Sequence, residues 1–256
     1  MSALAEELVR ISEQGLSAVL ATVVEGDHSE AVQAGAKCLL VDGQVRSESI
    51  GNASALQAIA NESQAILGDE KSKLVALEVE GAGKLQVFFE VMLAPPKLIV
   101  VGAGHIAVPL VQIAKVLDFY TIVIDDRILY ANRERFPAAD EVLVGDMAQM
   151  LKEMTITPSC YIVLITRGHK YDEPCLREIL HSKAKYIGMI GSRRRIKACF
   201  QRFRDEEKIA EEVIERVYAP IGLDIATETP AEIALSILAE VIKVRRGGKA
   251  ASLSGH

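Results

Sequence analysis

At 256 residues, half of them hydrophobic, the chain is long enough for one large domain or two modest ones with a full core. Tryptophan is absent and aromatic residues make up only 5%, so that core must be aliphatic, as α/β sheets usually are. The net charge of −6 excludes the basic composition of a nucleic-acid binder.

The charge is unevenly divided. Residues 1–94 carry 6 Lys+Arg against 14 Asp+Glu, a balance of −8, and residues 95–256 carry 23 against 21, or +2. The acidic part reads as a solvated face or a docking surface, and the other part suits an anionic ligand better. Cys38, Cys160, Cys175 and Cys199 show no Cys-x-x-Cys spacing, which argues against a zinc knuckle or a redox dithiol. Cys38 and Cys160 lie in apolar runs and read as inert core thiols, and Cys199 as a packed thiol. Cys175 falls early in a helix, where a thiolate is favoured, with nothing else to support reactivity. This usage fits a reducing cytosol. The start lacks a basic segment followed by an apolar run, and no run of 18 uncharged apolar residues exists. A cytoplasmic location without a signal peptide or membrane span is therefore expected.

In chain order, residues 3–14 are predicted to form an amphipathic helix with Leu4, Leu8 and Ile11 on one face, ended by Gly15. Strands are predicted at Ser17–Val24 and Ala36–Val41. Asp42-Gly43 signals a hairpin, with Gln44–Arg46 as the return strand. A helix over 53–67 precedes strands at Leu74–Val79 and Leu85–Leu93, joined at Gly81–Gly83. These elements make a small α+β domain over residues 1–94 with a mostly antiparallel sheet. Ala94-Pro95-Pro96 is a stiff break and the candidate boundary.

Beyond the break, strands alternate with helices, which implies a doubly wound, Rossmann-like parallel sheet over 95–250. The strands are Lys97–Val101, Thr121–Asp125, Glu141–Val144, Cys160–Ile165 and Tyr186–Ile190, with a last short strand before Ala219. The helices are 104–117, 147–154, 173–182, 192–208 and 231–246. Thr229 is the expected N-cap of the last, with Pro230 at its first position and Glu232 completing a capping box.

Ligands of such sheets bind outside the carboxyl ends of the strands, so the residues there matter most. Gly102-Ala-Gly104-His-Ile-Ala107 follows the first strand as a phosphate-binding corner. Gly102 allows a sharp turn, Gly104 leaves room for a phosphate, and Ala107 lets the helix pack close. The plain alternative is a turn that only needs small residues. His105 sits inside this corner and is placed to touch a ligand.

Asp125-Asp126-Arg127 comes 23 residues after Gly102, where an acid can accept from ribose hydroxyls or Arg127 can meet a 2′-phosphate. The alternative is local Asp–Arg pairing. Gly168, His169 and Asp172 follow the strand at Cys160–Ile165. Asp172 is expected to cap the next helix, and His169 is open to acid/base, ligand-holding or structural roles. Gly191-Ser192-Arg193 opens a helix with three successive arginines, a pattern that suits a bound anion or a solvated basic turn. Asp224 follows the last short strand and is placed to orient a basic partner; the alternative is a purely structural loop. No Ser-His-Asp, Walker or His-Glu-x-x-His signature is present, so no catalytic and no metal-ligating residue is assigned.

Phe89-Glu90, Gly102–Ala107, Asp125-Asp126-Arg127, Thr166–His169 with Asp172, Tyr186–Arg193, Ala219–Asp224 and Thr229–Ile233 together resemble the xanthine dehydrogenase accessory family (XdhC/CoxI). The resemblance spans residues 85–246; the N-terminal domain resembles the family less well, though Ala21–Glu25 and Ala34–Lys37 fit. Where the family has a glycine-rich segment with a cysteine, this chain reads Ser47–Ser54 without one. The resemblance implies a C-terminal Rossmann domain and a role in maturing molybdenum hydroxylases. It implies binding of molybdenum cofactor (molybdopterin) while its sulfido ligand is installed, then help with its insertion. The implied partners are an apo-hydroxylase, a sulfur donor and a second copy in a homodimer. The alternative reading from the residues is an NAD(P)-dependent oxidoreductase with His169 as proton donor. A nucleotide-sensing regulatory subunit is a weaker third.

Overall fold

The computed structural model of the chain describes residues 3–26 and 32–254. The chain divides into two compact units, Met1–Ala94 and Pro95–His256.

The first unit contains α1 (Ala3–Glu13), β1 (Ala18–Gly26), β2 (Lys37–Val41), β3 (Gln44–Glu48), α2 (Ala53–Asp69), β4 (Lys73–Val79) and β5 (Gly83–Met92). Its sheet has the order β3-β2-β1-β5-β4, antiparallel throughout. Asp42 and Gly43, with φ of 50° and 74°, form the two-residue turn between β2 and β3. Two left-handed residues match the natural twist of a hairpin, and Asp-Gly tolerates them best. Period-two alternation divides the side chains between the faces. Ala21, Val23, Leu85, Val87 and Phe89 form a core with Ile59 and Ile66 of α2. Ala18, Leu20, Leu39 and Val41 pack with Ile11 of α1. Asn52 caps α2, its side chain accepting from the Ala55 N–H at 2.9 Å.

The second unit contains β6 (Lys97–Val101), α3 (Ala107–Val116), β7 (Tyr120–Asp125), β8 (Glu141–Val144), α4 (Met147–Glu153), β9 (Cys160–Leu164) and α5 (His169–Ile179). There follow β10 (Tyr186–Met189), α6 (Arg193–Asp205), α7 (Glu211–Glu215), β11 (Val217–Tyr218) and α8 (Pro230–Arg246). Six strands lie in the order β11-β10-β9-β6-β7-β8, with all pairs parallel. This is the doubly wound, Rossmann-like order, with its switch point between β6 and β9. The central strands read as unbroken apolar runs because both faces are covered. Leu98 and Val100 face the layer that includes Leu110, Val111, Ile237 and Val241 of α3 and α8. Ile99 and Val101 face the layer that includes Leu151, Leu176 and Phe203 of α4, α5 and α6.

The α/β architecture with a smaller preceding α+β unit is the one that the alternation predicts. Two helix starts differ. The chain turns through residues 104–106 before α3 begins at Ala107. Helix α5 begins at His169 rather than 173, because Gly168, at φ +147°, takes the N-cap place and leaves Pro174 inside the helix. At α8 the capping box of Thr229 and Glu232 forms, with Pro230 in the first turn. Among the described residues, no helix is long and apolar enough to cross a membrane.

A buried carboxylate ties the last helix to the sheet. Glu240 of α8 accepts from the Tyr186 hydroxyl at 2.6 Å and from the Gly222 N–H at 3.0 Å. The Tyr186 ring stacks on Tyr218 with centroids 4.8 Å apart. It also leans along β10, so that a Cβ at Gly188 would lie 2.6 Å from its hydroxyl. Glu240→Ala leaves that hydroxyl and the Gly222 N–H without their acceptor. The variant is expected to lose about 2–3 kcal/mol in urea denaturation, and Tyr186→Phe about 1 kcal/mol.

Candidate functional site

The corner after β6 is held by the strand ends on either side of it. The Gly102 N–H donates to Ile124 O of β7 at 2.7 Å. The Ala103 N–H donates to Asp125 Oδ2 at 2.8 Å, and the Ala103 carbonyl accepts from Arg135 Nη1 at 2.8 Å. Gly102 has φ +106°, and a Cβ there would lie 2.6 Å from Ile165 O and 2.9 Å from Thr166 Cα. Glycine is thus required both by the turn and by the backbone at the end of β9. Gly104 differs, since a Cβ there would meet nothing within 4 Å. Among the described residues nothing demands a glycine at 104, and the space beside it is open. Helix α3 then begins with no side-chain cap at Ile106, leaving its first N–H groups without one. His105 is exposed on the turn.

Asp125 is 2% exposed, and its four acceptor directions are all taken. Oδ1 accepts from Arg127 N at 3.0 Å and Nε at 2.8 Å. Oδ2 accepts from Ala103 N at 2.8 Å and Arg127 Nη2 at 2.9 Å. Burial pushes its pKa up, but the Arg127 guanidinium and the two backbone N–H groups outweigh this and hold it at about 2. Of the two readings of this stretch, the structure shows local Asp–Arg pairing at Asp125, which fills the acceptor directions of its carboxylate. Arg127 stacks on the Tyr130 ring, 3.8 Å from its centroid, and is likewise engaged. Asp126 is a third exposed and pairs at 2.5 Å with Arg167, which follows β9.

Asp172 does not cap α5. It sits within the first turn, 6% exposed, and accepts from the Thr166 hydroxyl at 2.6 Å. Burial raises its pKa, with the Thr166 bond and nearby Arg195 opposing. With Glu173, Met189, Ile190, Gly191, Arg195, Ile196 and Cys199 it lines a cleft at the end of β10. Gly168 caps α5, while the side chain of His169 lies outside the described residues. Ser192 caps α6 itself, its hydroxyl accepting from the Arg195 N–H at 3.4 Å. Arg193 is exposed on the first turn of α6. Asp224 is also exposed, on the loop that Ile221 and Leu223 pin to Met189 O and Ser236 O.

Two groups therefore form along the carboxyl edge. One joins Gly102, Gly104, Asp125, Asp126 and Arg127 around the corner. The other joins Gly168, Asp172 and Gly191 near the cleft, and among the described residues Asp224 is bonded to neither group. Arg135, Thr166 and Arg167 complete these groups. Thr166 and Arg167 belong to the Thr166–His169 stretch that the sequence already singles out, whereas Arg135 escapes sequence reasoning, because the Ala103 carbonyl it bonds lies 32 positions away. All four cysteines are buried. Burial, with Glu48 nearby, pushes the Cys38 thiol up to about 11. Burial and nearby carboxylates push Cys175 and Cys199 up to about 12. Burial and the neighbouring carboxylates thus oppose the thiolate conceivable at Cys175. Among the described residues no three His, Cys, Asp or Glu side chains converge on a metal-sized site.

The XdhC Rossmann domain family matches residues 98–241. The uncharacterized protein YqeB of Escherichia coli K12 is 28% identical over 267 positions, covering 98% of this chain and 49% of that protein. A probable xanthine dehydrogenase subunit of Bacillus subtilis 168 is 33% identical over 151 positions, covering 59% of this chain and 43% of that one. The chain thus spans about half the length of the curated relatives it matches. A solved structure of a xanthine dehydrogenase from Bacillus halodurans has a TM-score of 0.55 at 20% identity and covers 98% of both chains. It shares the fold.

The two corner glycines should respond differently to a methyl group. Gly102→Ala is expected to cost about 2–3 kcal/mol in thermal or urea denaturation, and Gly104→Ala less than about 0.5 kcal/mol. Asp125 gives a pH signature. Its depressed pKa contributes stability above the ordinary carboxylate pKa, of order 2 kcal/mol, which is lost as pH falls from about 4 toward 2. The stability gap between wild type and Asp125→Asn should narrow across that window in urea titrations.

Proposed function

We propose, on the premise that the chain belongs to the XdhC family through a Rossmann domain at residues 98–241, that it assists maturation of a xanthine dehydrogenase-type molybdenum hydroxylase. In this reading the second unit holds molybdopterin by its phosphate. It keeps the cofactor protected while a sulfur donor installs the sulfido ligand, then aids insertion into the apo-enzyme. The chain acts in the cytoplasm, as a homodimer. The name of the Bacillus subtilis relative supports the link to xanthine dehydrogenase.

The observation that carries the choice of ligand is the saturation of Asp125. A dinucleotide site of this fold places an acid at the end of the second strand to grip the adenosine ribose. Here that acid is spent on Arg127 and the corner. What remains is the phosphate-binding half: open space at Gly104 and uncapped N–H groups at α3. These fit the phosphate of a pterin cofactor. Its molybdenum end finds no thiolate partner, since the four cysteines are buried. When bound, the cofactor supplies the redox centre of the recipient enzyme, and this chain's residues hold and shield it. An NAD(P)-dependent oxidoreductase remains the competing reading, motivated by the strand order and the Gly-x-Gly-x-x-Ala corner.

The test is to purify the protein from a cell that makes molybdenum cofactor and measure pterin fluorescence after oxidative release. Bound pterin is expected in the wild type and lost in Gly104→Val, whose side chain fills the open space while the thermal melt stays near wild type. Deleting the gene is expected to lower xanthine dehydrogenase activity without lowering the amount of that enzyme. Absence of pterin together with unchanged activity would overturn the proposal. Saturable NAD(H) or NADP(H) binding would move the assignment to the oxidoreductase.

A further inference from the structure

We infer that Arg167 is the side-chain cation of the corner's phosphate site, and that Asp126 competes with the phosphate for it. This rests on the corner being an anion site, as proposed above. Strand order supplies the first argument. β6 lies between β9 and β7, so a bond from Arg167 after β9 to Asp126 after β7 must span the end of β6, where the glycine corner sits.

The second argument comes from comparing the three arginines around the corner. Arg127 gives its backbone N–H and two guanidinium donors to Asp125, a buried acid. Arg135 is bonded to the carbonyls of Ala103 and Tyr130. Arg167 makes a single hydrogen bond among the described residues, from Nη2 to Asp126 Oδ2. Its guanidinium is held by stacking on Tyr171, 4.0 Å from the ring centroid. A guanidinium has five N–H donors and favours paired bonds to phosphate oxygens. Arg167 is therefore aligned and charged, with donors to spare, beside a corner whose own donors are backbone N–H groups.

The third argument is one of exchange. Both members of the Asp126–Arg167 pair are 33% exposed. An ion pair in such a place is weak, because water competes for both partners. A phosphate that also receives the α3 N–H groups offers Arg167 more than Asp126 does. On arrival of a phosphate ester or pyrophosphate, Arg167 leaves Asp126 and bonds the anion, and Asp126 keeps its longer pairing with Arg127, Oδ1 lying 3.8 Å from Nε. No bond other than these hydrogen bonds is made or broken. Such a site selects against ligands that lack a phosphate, because the neutral alternative leaves the ion pair intact.

Inorganic pyrophosphate, titrated calorimetrically into the full chain at low and at physiological salt, tests this. The variants are Asp126→Asn, Arg167→Gln, Arg167→Lys and the double variant Asp126→Asn/Arg167→Gln, each with a thermal melt to confirm folding. Arg167→Gln is expected to weaken binding by about tenfold or more, and Arg167→Lys by less. Asp126→Asn is expected to tighten it by several-fold, and the double variant to match Arg167→Gln. Wild-type binding that Arg167→Gln leaves unchanged, or that Asp126→Asn weakens, would overturn the role of Arg167 while leaving the corner site standing. No pyrophosphate binding by wild type or Asp126→Asn would remove the corner site, and the role of Arg167 with it.

Discussion

The carboxylate of Asp125 is the point from which the carboxyl edge of the second unit is built. It ends β7 beneath the surface, and through its two oxygens it fixes Ala103 of the corner and Arg127 of the next loop. Arg127 and Arg135 both lie against Tyr130, and Arg135 returns to the corner through the Ala103 carbonyl. Backbone bonds continue each strand one residue past its end, from Gly102 to Ile124 and from Ile165 to Val101. The glycine turn is thus held in one conformation by bonds from both neighbouring strands. A phosphate site made of backbone N–H groups needs that rigidity, because unfixed donors would lose to water.

The same commitment shapes what the site can recognise. In a dinucleotide-binding sheet the acid after the second strand must keep a free oxygen edge for the ribose diol. Here Asp125 faces inward with every acceptor direction filled, and its low pKa records how strongly the charged form is held. In the proposed reading, recognition is left to the phosphate end, where glycine geometry, a helix start and arginine charge all favour an anion. The separation between Gly102 and Gly104 sharpens this. One glycine is explained by the backbone of Ile165 and Thr166, and the other by nothing among the described residues. A residue whose smallness the fold does not use points to the space beside it.

Much of the architecture is legible in the sequence because its signals are local. Unbroken apolar runs such as Cys160–Leu164 announce strands covered on both faces. Asp42-Gly43 announces its hairpin, and Thr229-Pro230 with Glu232 its helix start, since turn and cap chemistry acts within three residues. The start of α5 is harder to read because Pro174 and Asp172 both carry helix-start signals. A glycine at φ +147° and the Thr166 hydroxyl answer those needs earlier in the chain. At the site, spacing points to Asp125 and Arg127 but cannot say that each consumes the other. That outcome depends on burial, which strand order decides. Arg135 and Arg167 act on residues 32 and 41 positions away, a distance over which sequence pattern carries no information.

Burial also separates two ion pairs of the same residue types. Asp125 with Arg127 and Asp126 with Arg167 each join an aspartate to an arginine stacked on a tyrosine. In the first the acid is 2% exposed, so removing its partner would strand a charge out of water, at a cost of several kcal/mol. In the second both side chains reach solvent, and separating them costs about 1 kcal/mol or less. A ligand phosphate can offset the second cost with one good pair of hydrogen bonds and cannot offset the first. The adjacent aspartates therefore divide the work that a single acid would do badly. Asp125 holds the corner still, and Asp126 holds a cation that can be given up.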